Sequence, residues 1–342
     1  MALGSRMRDL RRGLGRTGQQ PEPSPPPVTA DTVSDCDLEV DGGLREAYWQ
    51  VFGVPHGEGP VATTWSPDAR QALRRALVAA GNDGGYWAGR RYLFDAILAD
   101  PGNRAHALLS RCRVDPSMVR TATRADENVS AEDQPRLPVV ESLQTFGVVP
   151  ARNATRPSRL LARILTAGAS RLADADPVLY VMEMEAIRQA VRLGNSRVTT
   201  AHLVLATLVL HEELVTAGPW EPETVGALGS AGAILAARGV TSFSVGRHLA
   251  TLSSFGDAAP KQRHRAWRTN PKHPKWTVAA AQAAEATRNA SPQGQEDVSA
   301  GTARLFVSAL ADADDDAVRM LHRLSIDPAA VVKEAERLIA PQ

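Results

Sequence analysis

Three stretches of the chain open alike: Trp65-Ser66-Pro67-Asp68-Ala69, Ala175-Asp176-Pro177-Val178-Leu179 and Trp276-Thr277-Val278-Ala279-Ala280. Each leads through a helical pattern into a second one. These second patterns begin Gly89-Arg90-Arg91-Tyr92-Leu93, Thr199-Thr200-Ala201-His202-Leu203 and Gly301-Thr302-Ala303-Arg304-Leu305. Each stretch then closes on Arg113-Val114-Asp115-Pro116, Gly239-Val240-Thr241-Ser242 or Ser325-Ile326-Asp327-Pro328. An internal repeat of this size sets the architecture, because each copy is one supersecondary unit that buries its apolar face against a neighbour. It points to a helical binding scaffold rather than a one-site enzyme.

The local chemistry within each copy is helical. Ser66 suits an N-cap, Pro67 the first helical position and Asp68 the positive end of the helix dipole. Ala69, Leu73, Ala76, Leu77 and Ala80 then fall at helical spacing. Gly81 to Gly85 breaks that helix. Tyr92 to Ala99 makes a second, stopped by Pro101-Gly102. Ala105, Leu108, Leu109 and Cys112 mark a third, and Asp115-Pro116 opens a fourth. In the second copy Asp176-Pro177 is again cap and first-turn proline, with Leu179, Met182, Ala186, Ala190 and Leu193 as the buried stripe. Thr199 or Thr200 caps the next helix, Ala201 to His211. Thr216 to Gly229 reads as an insertion, and Ala231 to Arg238 as a third helix ended by Gly239. Asp327-Pro328 opens the last helix of the third copy. Trp65 and Trp276 share one repeat position, where each staples the start of its helix to the core. No segment alternates with period two between turn signals, so almost no sheet is expected. The fold class is all-α.

Between the copies the signal changes. Pro21, Pro23, Pro25, Pro26 and Pro27 mark a solvated tail that also carries Arg6, Arg8, Arg11, Arg12 and Arg16. Leu44 to Val54 reads as a short amphipathic helix. Residues 121–138 are a polar linker. Val139 to Val149 is apolar, and Ser158 to Leu172 is an amphipathic helix. The basic segment from Lys261 to Lys275 interleaves Arg263, Arg265, Arg268 and Lys272 with Trp267, a pattern found where proteins hold nucleic acid. Its structural counterpart is a solvated linker.

Totals narrow the function. Thirty-nine basic residues against 38 acidic ones leave no net field to draw the chain to a polyanion. Cys36 and Cys112 lie in no metal-binding spacing, and the expectation is free thiols in a cytoplasmic protein. No window reaches the length of a membrane helix. The four lysines follow Pro260, Pro271, Pro274 and Val332, so there is no Walker lysine after glycine and no ATPase engine is expected. His211-Glu212-Glu213-Leu214-Val215 lacks the second histidine of a zinc hydrolase motif. His202 and His211 stand nine apart, about half a turn off a shared face. Asp312, Asp314, Asp315 and Asp316 form an acidic loop without the alternation and turn glycine of a calcium site. No catalytic residue, metal or cofactor is expected.

The repeat resembles the Clp N-terminal repeat, the all-helical substrate- and adaptor-docking module of Clp chaperone ATPases. That family opens on aromatic-Thr/Ser-Pro-x-Ala, runs through Leu-Gly-His-Asn-Tyr-Ile and Gly-Thr-Glu-His-Leu-Leu, and closes on Leu-Gly-Val-Asp. Trp65-Ser66-Pro67-Asp68-Ala69 is similar to the opening. Leu193-Gly194-Asn195-Ser196-Arg197-Val198 is similar to the helix end, and Thr200-Ala201-His202-Leu203 and Gly301-Thr302-Ala303-Arg304 to the Gly-Thr-Glu-His phrase. The resemblance implies three tandem repeats of about four helices each. It implies a tail at 1–43, a first repeat with its preceding helix at 44–120, linker and helix at 121–174, and a paired domain at 175–342 with a basic linker at 253–275. The unpaired first repeat is expected to pack on 139–173 or on another subunit.

By the same resemblance the function is non-enzymatic protein or peptide binding in a groove between repeats. The partners implied are a Clp ATPase, its adaptor or its substrates, with hydrophobic peptides or Clp-directed compounds as ligands. The contacts implied are Arg91, Tyr92, Thr200, Ala201, His202, Thr302, Ala303 and Arg304. The family glutamate that in some members reads arginine phosphate is replaced by Arg91, Ala201 and Ala303, which removes the carboxylate partner for a guanidinium. The alternative reading is a nucleic-acid-binding regulator that uses the tail and Arg263, Arg265, Trp267, Arg268 and Lys272.

Overall fold

The computed structural model describes residues 30–53, 65–83, 88–125, 137–149, 176–218, 222–251, 273–290 and 298–339. These are mostly helical: fourteen helices and two strands of two residues each. The chain divides into two compact units, 1–41 with 61–136, and 42–60 with 137–342. Helix α1, Ala30–Phe52, is divided at Asp41. It therefore starts inside the stretch expected as tail, well before Leu44, and it runs through Gly42 and Gly43. The expected domain at 44–120 gives up its leading helix to the second unit.

The first unit holds α2 (Pro67–Asn82), α3 (Arg90–Leu98), α4 (Arg104–Arg111) and α5 (Pro116–Ala125). Ser66 Oγ accepts from the Ala69 N–H at 3.2 Å, and Pro67 and Asp68 sit in the first turn as the sequence predicts. The stripe is rotated slightly from the expected one. Ala72, Ala76 and Ala80 are buried, while Leu73 and Leu77 are half-buried. Ala96 and Leu98 of α3 are buried as well. Asp41 pairs with Arg70 at 2.6 Å, and Asp37 with Arg74. No side chain of α4 is buried. Trp65 is 41% exposed, so its stapling role fails, whereas Trp276 is 3% exposed in the second unit.

The second unit holds α6 (Pro138–Thr145), α7 (Pro177–Leu193), α8 (Thr200–Ala217), α9 (Pro222–Ala236) and α10 (Ser242–Ala250), then α11 (Val278–Asn289), α12 (Val298–Ala309), α13 (Asp316–Arg323) and α14 (Pro328–Ile339). Segment 137–149, unplaced by the repeat pattern, belongs to this core: Val139, Val140, Leu143 and Val149 are buried against α7 and α8. Helix α8 is the centre. Its residues Thr200 to Leu210 are buried on every side, as a helix apolar all round must be. Strands Arg197–Val198 and Lys275–Trp276 pair in parallel, Arg197 opposite Lys275, and join the starts of α8 and α11.

Helix α9 begins at Pro222, seven residues before the end of the stretch expected as an insertion. Its glycines look like breakers in sequence but serve as contact points. A Cβ on Gly232 would stand 2.5 Å from the Thr207 carbonyl oxygen and from His211 Cβ on α8. The two helices touch backbone to backbone there, which only glycine permits.

One chain-reversal device recurs. Arg113 (φ 54°), Gly239 (φ 76°) and Ser325 (φ 60°) are left-handed. After each, a backbone N–H reaches back five residues: Val114 to Leu109 O at 2.9 Å, Val240 to Leu235 O at 3.2 Å and Ile326 to Leu321 O at 2.9 Å. These are Schellman closures, which satisfy carbonyls the helix end leaves free. A new helix starts within three residues of each.

Candidate functional site

The residues implied as contacts fall into two environments. Thr200, Ala201, His202, Thr302 and Ala303 are buried in the second unit, and their bonds are internal. The Thr200 hydroxyl oxygen accepts from the Ala317 N–H at the start of α13, 3.3 Å away. Thr302 Oγ1 donates to the Leu228 carbonyl on α9 at 3.1 Å. Thr200 thus holds the start of α13 and Thr302 ties α12 to the middle of α9, and Arg304 is half-buried beside them. Arg91 and Tyr92 are half-buried in the first unit. Arg91 Nη2 donates to the Tyr92 hydroxyl at 2.9 Å, the hydroxyl donates to Asp83 Oδ2 at 2.9 Å, and the Arg91 guanidinium lies 4.7 Å from the Tyr92 ring centroid. Arg263, Arg265, Trp267, Arg268 and Lys272 lie outside the described residues.

His202 is the third residue of α8 and takes the place that glutamate holds in a capping box. Its Nδ1 accepts from the Thr199 N–H at 3.1 Å. The proton is therefore on Nε2, which donates to Asn195 Oδ1 at 3.0 Å. Complete burial pushes its pKa down to about 3. The ring is neutral and structural.

The polar residues that sequence reasoning missed are Glu212 and Glu213. Adjacent on α8, they cap two different helices. Glu212 Oε1 accepts from the Ser242 N–H at 2.7 Å at the start of α10, and its other oxygen takes the Ser242 hydroxyl. Glu213 Oε2 accepts from the Val139 and Val140 N–H groups at 2.9 and 3.1 Å at the start of α6. The signal was present but divided. Two glutamates end an apolar helix, and Leu137-Pro138 opens another with no capping side chain of its own.

Beside Glu213 lies a half-buried ion network. Arg188 of α7 donates to both oxygens of Glu185 at 3.0 and 2.9 Å and to Glu46 of α1 at 2.6 Å. Arg192 donates to Glu46 at 2.7 Å. Burial pushes the Glu46 carboxyl up, but Arg188 and Arg192 outweigh it and hold Glu46 below the usual range. Among the described residues no arginine hydrogen-bonds Glu213. Burial and the Glu185 charge push it up to about 8, against the pull of the Val140 and Val139 amides and of Arg188.

An open groove of about 580 Å³ lies in the first unit, lined by Arg113, Val114, Asp115, Met118, Val119, Ala122 and Thr123. It sits on α5 and on the Schellman turn that precedes it, not at the junction of the second and third repeats. Met118 is 70% exposed and Val114 38%. Among the described residues no three His, Cys, Asp or Glu side chains gather as metal ligands, and no helix is long and apolar enough to cross a membrane. Neither Cys36 nor Cys112 is in a disulfide.

No protein-family model matches the chain, no curated protein matches it, and no solved structure matches it.

Proposed function

We propose that this chain is a non-enzymatic protein-docking module built from three helical repeats of the Clp N-terminal kind. It acts on a Clp chaperone-protease as adaptor, competitor or decoy, and it holds an apolar peptide segment of its partner in the groove of the first unit. Compounds directed at the Clp docking domain compete for the same surface.

The observation that carries this reading is the recurrence of the closing turn. Each of the three stretches holds four helices, α2–α5, α7–α10 and α11–α14. In each, the turn between third and fourth helix is left-handed with the same five-residue return bond. That turn occupies the place of the family's closing phrase. In the first repeat its residues Arg113, Val114 and Asp115 also line the groove, so one element serves both fold and surface. The exposed, flexible Met118 suits a surface that repacks around varied apolar side chains.

The test is a degradation assay with the Clp ATPase and peptidase from the same source and a labelled substrate. Adding the chain should change the degradation rate saturably, down for a competitor or decoy, up for an adaptor. A rate that stays constant up to a large molar excess of the chain counts against the proposal.

A further inference from the structure

Helix α6 is held to the second unit by an unusual hinge of polar contacts. It buries Val139, Val140 and Leu143, yet its own N-cap position, Leu137, supplies no capping bond. The amides of Val139 and Val140 are satisfied by one oxygen of Glu213, more than 70 residues away in sequence. A buried amide left without a partner is costly, so docking of α6 and the state of Glu213 are coupled.

The charges around Glu213 decide that state. From α7, Glu185 and Arg188 act on it; Arg188 is already committed to Glu185 and, with Arg192, to Glu46 of α1. From α6 only backbone amides face it, and Glu141 is exposed. On α8 itself, Glu212 turns to Ser242 of α10 and His211 lies against Gly229 of α9. Two arginines thus balance Glu46 and Glu185. A charge on Glu213 is a third buried negative charge, and among the described residues no cation hydrogen-bonds it. Uncompensated buried charge is avoided by neutralisation or by exposure to water.

We propose that Glu213 is a proton-linked latch on α6: the neutral carboxyl holds α6 in the core, and loss of its proton releases α6 and uncovers Val139, Val140 and Leu143. The neutral carboxyl still accepts both amide bonds through Oε2. When α6 swings away, water reaches the carboxyl and it ionises at its ordinary value. The raised pKa of the docked form, about 8 against an ordinary 4.5, agrees with this charge inventory. Opening therefore releases a proton, and its equilibrium constant rises up to tenfold per pH unit between those values. Above the upper one it levels off.

Hydrogen exchange on the full chain between pH 6 and 8 reads this directly. After correction for the base-catalysed intrinsic rate, opening of the α6 amides should rise roughly 50-fold in the wild type, tenfold per unit until it begins to level near the docked value of about 8. In Glu213→Gln, which keeps an acceptor but cannot ionise, it should stay flat. Equal pH dependence in both, or none in the wild type, overturns the proposal. If the variant does not fold, carbon-13 carboxyl titration of wild-type Glu213 decides: a midpoint at or above 7 supports the latch, and one below 7 overturns it.

Discussion

Two buried titratable residues of the second unit set opposite pH slopes on its stability. His202 is depressed from 6.5 to about 3. Its contribution is present above pH 6.5 and is lost as pH falls through about 3, where the folded ring is forced to charge. Glu213 is raised from 4.5 to about 8, so its contribution is present below pH 4.5 and is lost as pH rises through about 8. Between 4.5 and 6.5 the slopes oppose. Urea unfolding of the second unit should therefore show a plateau there, with a fall toward pH 8 that Glu213→Gln removes. A fall toward pH 8 that the glutamine variant leaves in place contradicts the assignment. Glu213→Ala strands two buried amides and should cost about 2–3 kcal/mol at pH 6, whereas the glutamine keeps an acceptor. Ser325 offers a simpler test. Its left-handed φ of 60° carries a Cβ penalty that glycine avoids, so Ser325→Gly should gain roughly 0.5–1 kcal/mol by thermal unfolding. An unchanged or lower Tm refutes that strain.

At the scale of elements, the helix starts at Ser66, Asp176 and Asp327 were legible, because each cap lies within three residues of the amides it holds and Pro67, Pro177 and Pro328 follow directly. All three closing phrases were legible as a repeat, but only Gly239 announced its left-handed turn; at Arg113 and Ser325 the side chains disguise it. The first turns of α9 read as an insertion because Gly218-Pro219 and Pro222 signal a loop; glycine also weakens an isolated helix, while here the absent side chain of Gly232 brings α8 and α9 together. Gly232→Ala should force those helices apart and cost about 1–3 kcal/mol or more, as overpacking does. Gly229→Ala, whose nearest neighbour is the movable His211 ring at 3.3 Å, should cost less. Equal effects of the two, measured by chemical denaturation, would remove the backbone contact as the reason for glycine. The caps by Glu212 and Glu213 were beyond sequence reading, since their partners lie 30 and more than 70 residues away.

At the scale of the molecule, the all-helical class was plain from periodicity and caps, whereas the exposed groove of the first unit was not. Of the implied contacts on α8 and α12, Thr200, Ala201, His202, Thr302 and Ala303 are buried, because an apolar helix start reads the same whether it faces a partner or a core. The exposed apolar groove lies on α5, where Met118 and Ala122 stand one helical turn apart. The units differ in their interiors as well. The first is packed with alanines and Leu98, and the second with Met182, Ile187, Leu203, Leu208, Phe306 and Leu321. Less apolar burial means less stabilisation, so limited proteolysis of the native chain should cut within 61–136 before 176–339. The docking claim itself is tested most directly by titrating the purified chain against the Clp ATPase of the same source, as wild type and as Met118→Asp. The expected result is saturable binding by the wild type that the aspartate weakens at least about tenfold, roughly 1.4 kcal/mol, with its circular dichroism unchanged. No binding by the wild type, or equal binding by both, contradicts the account.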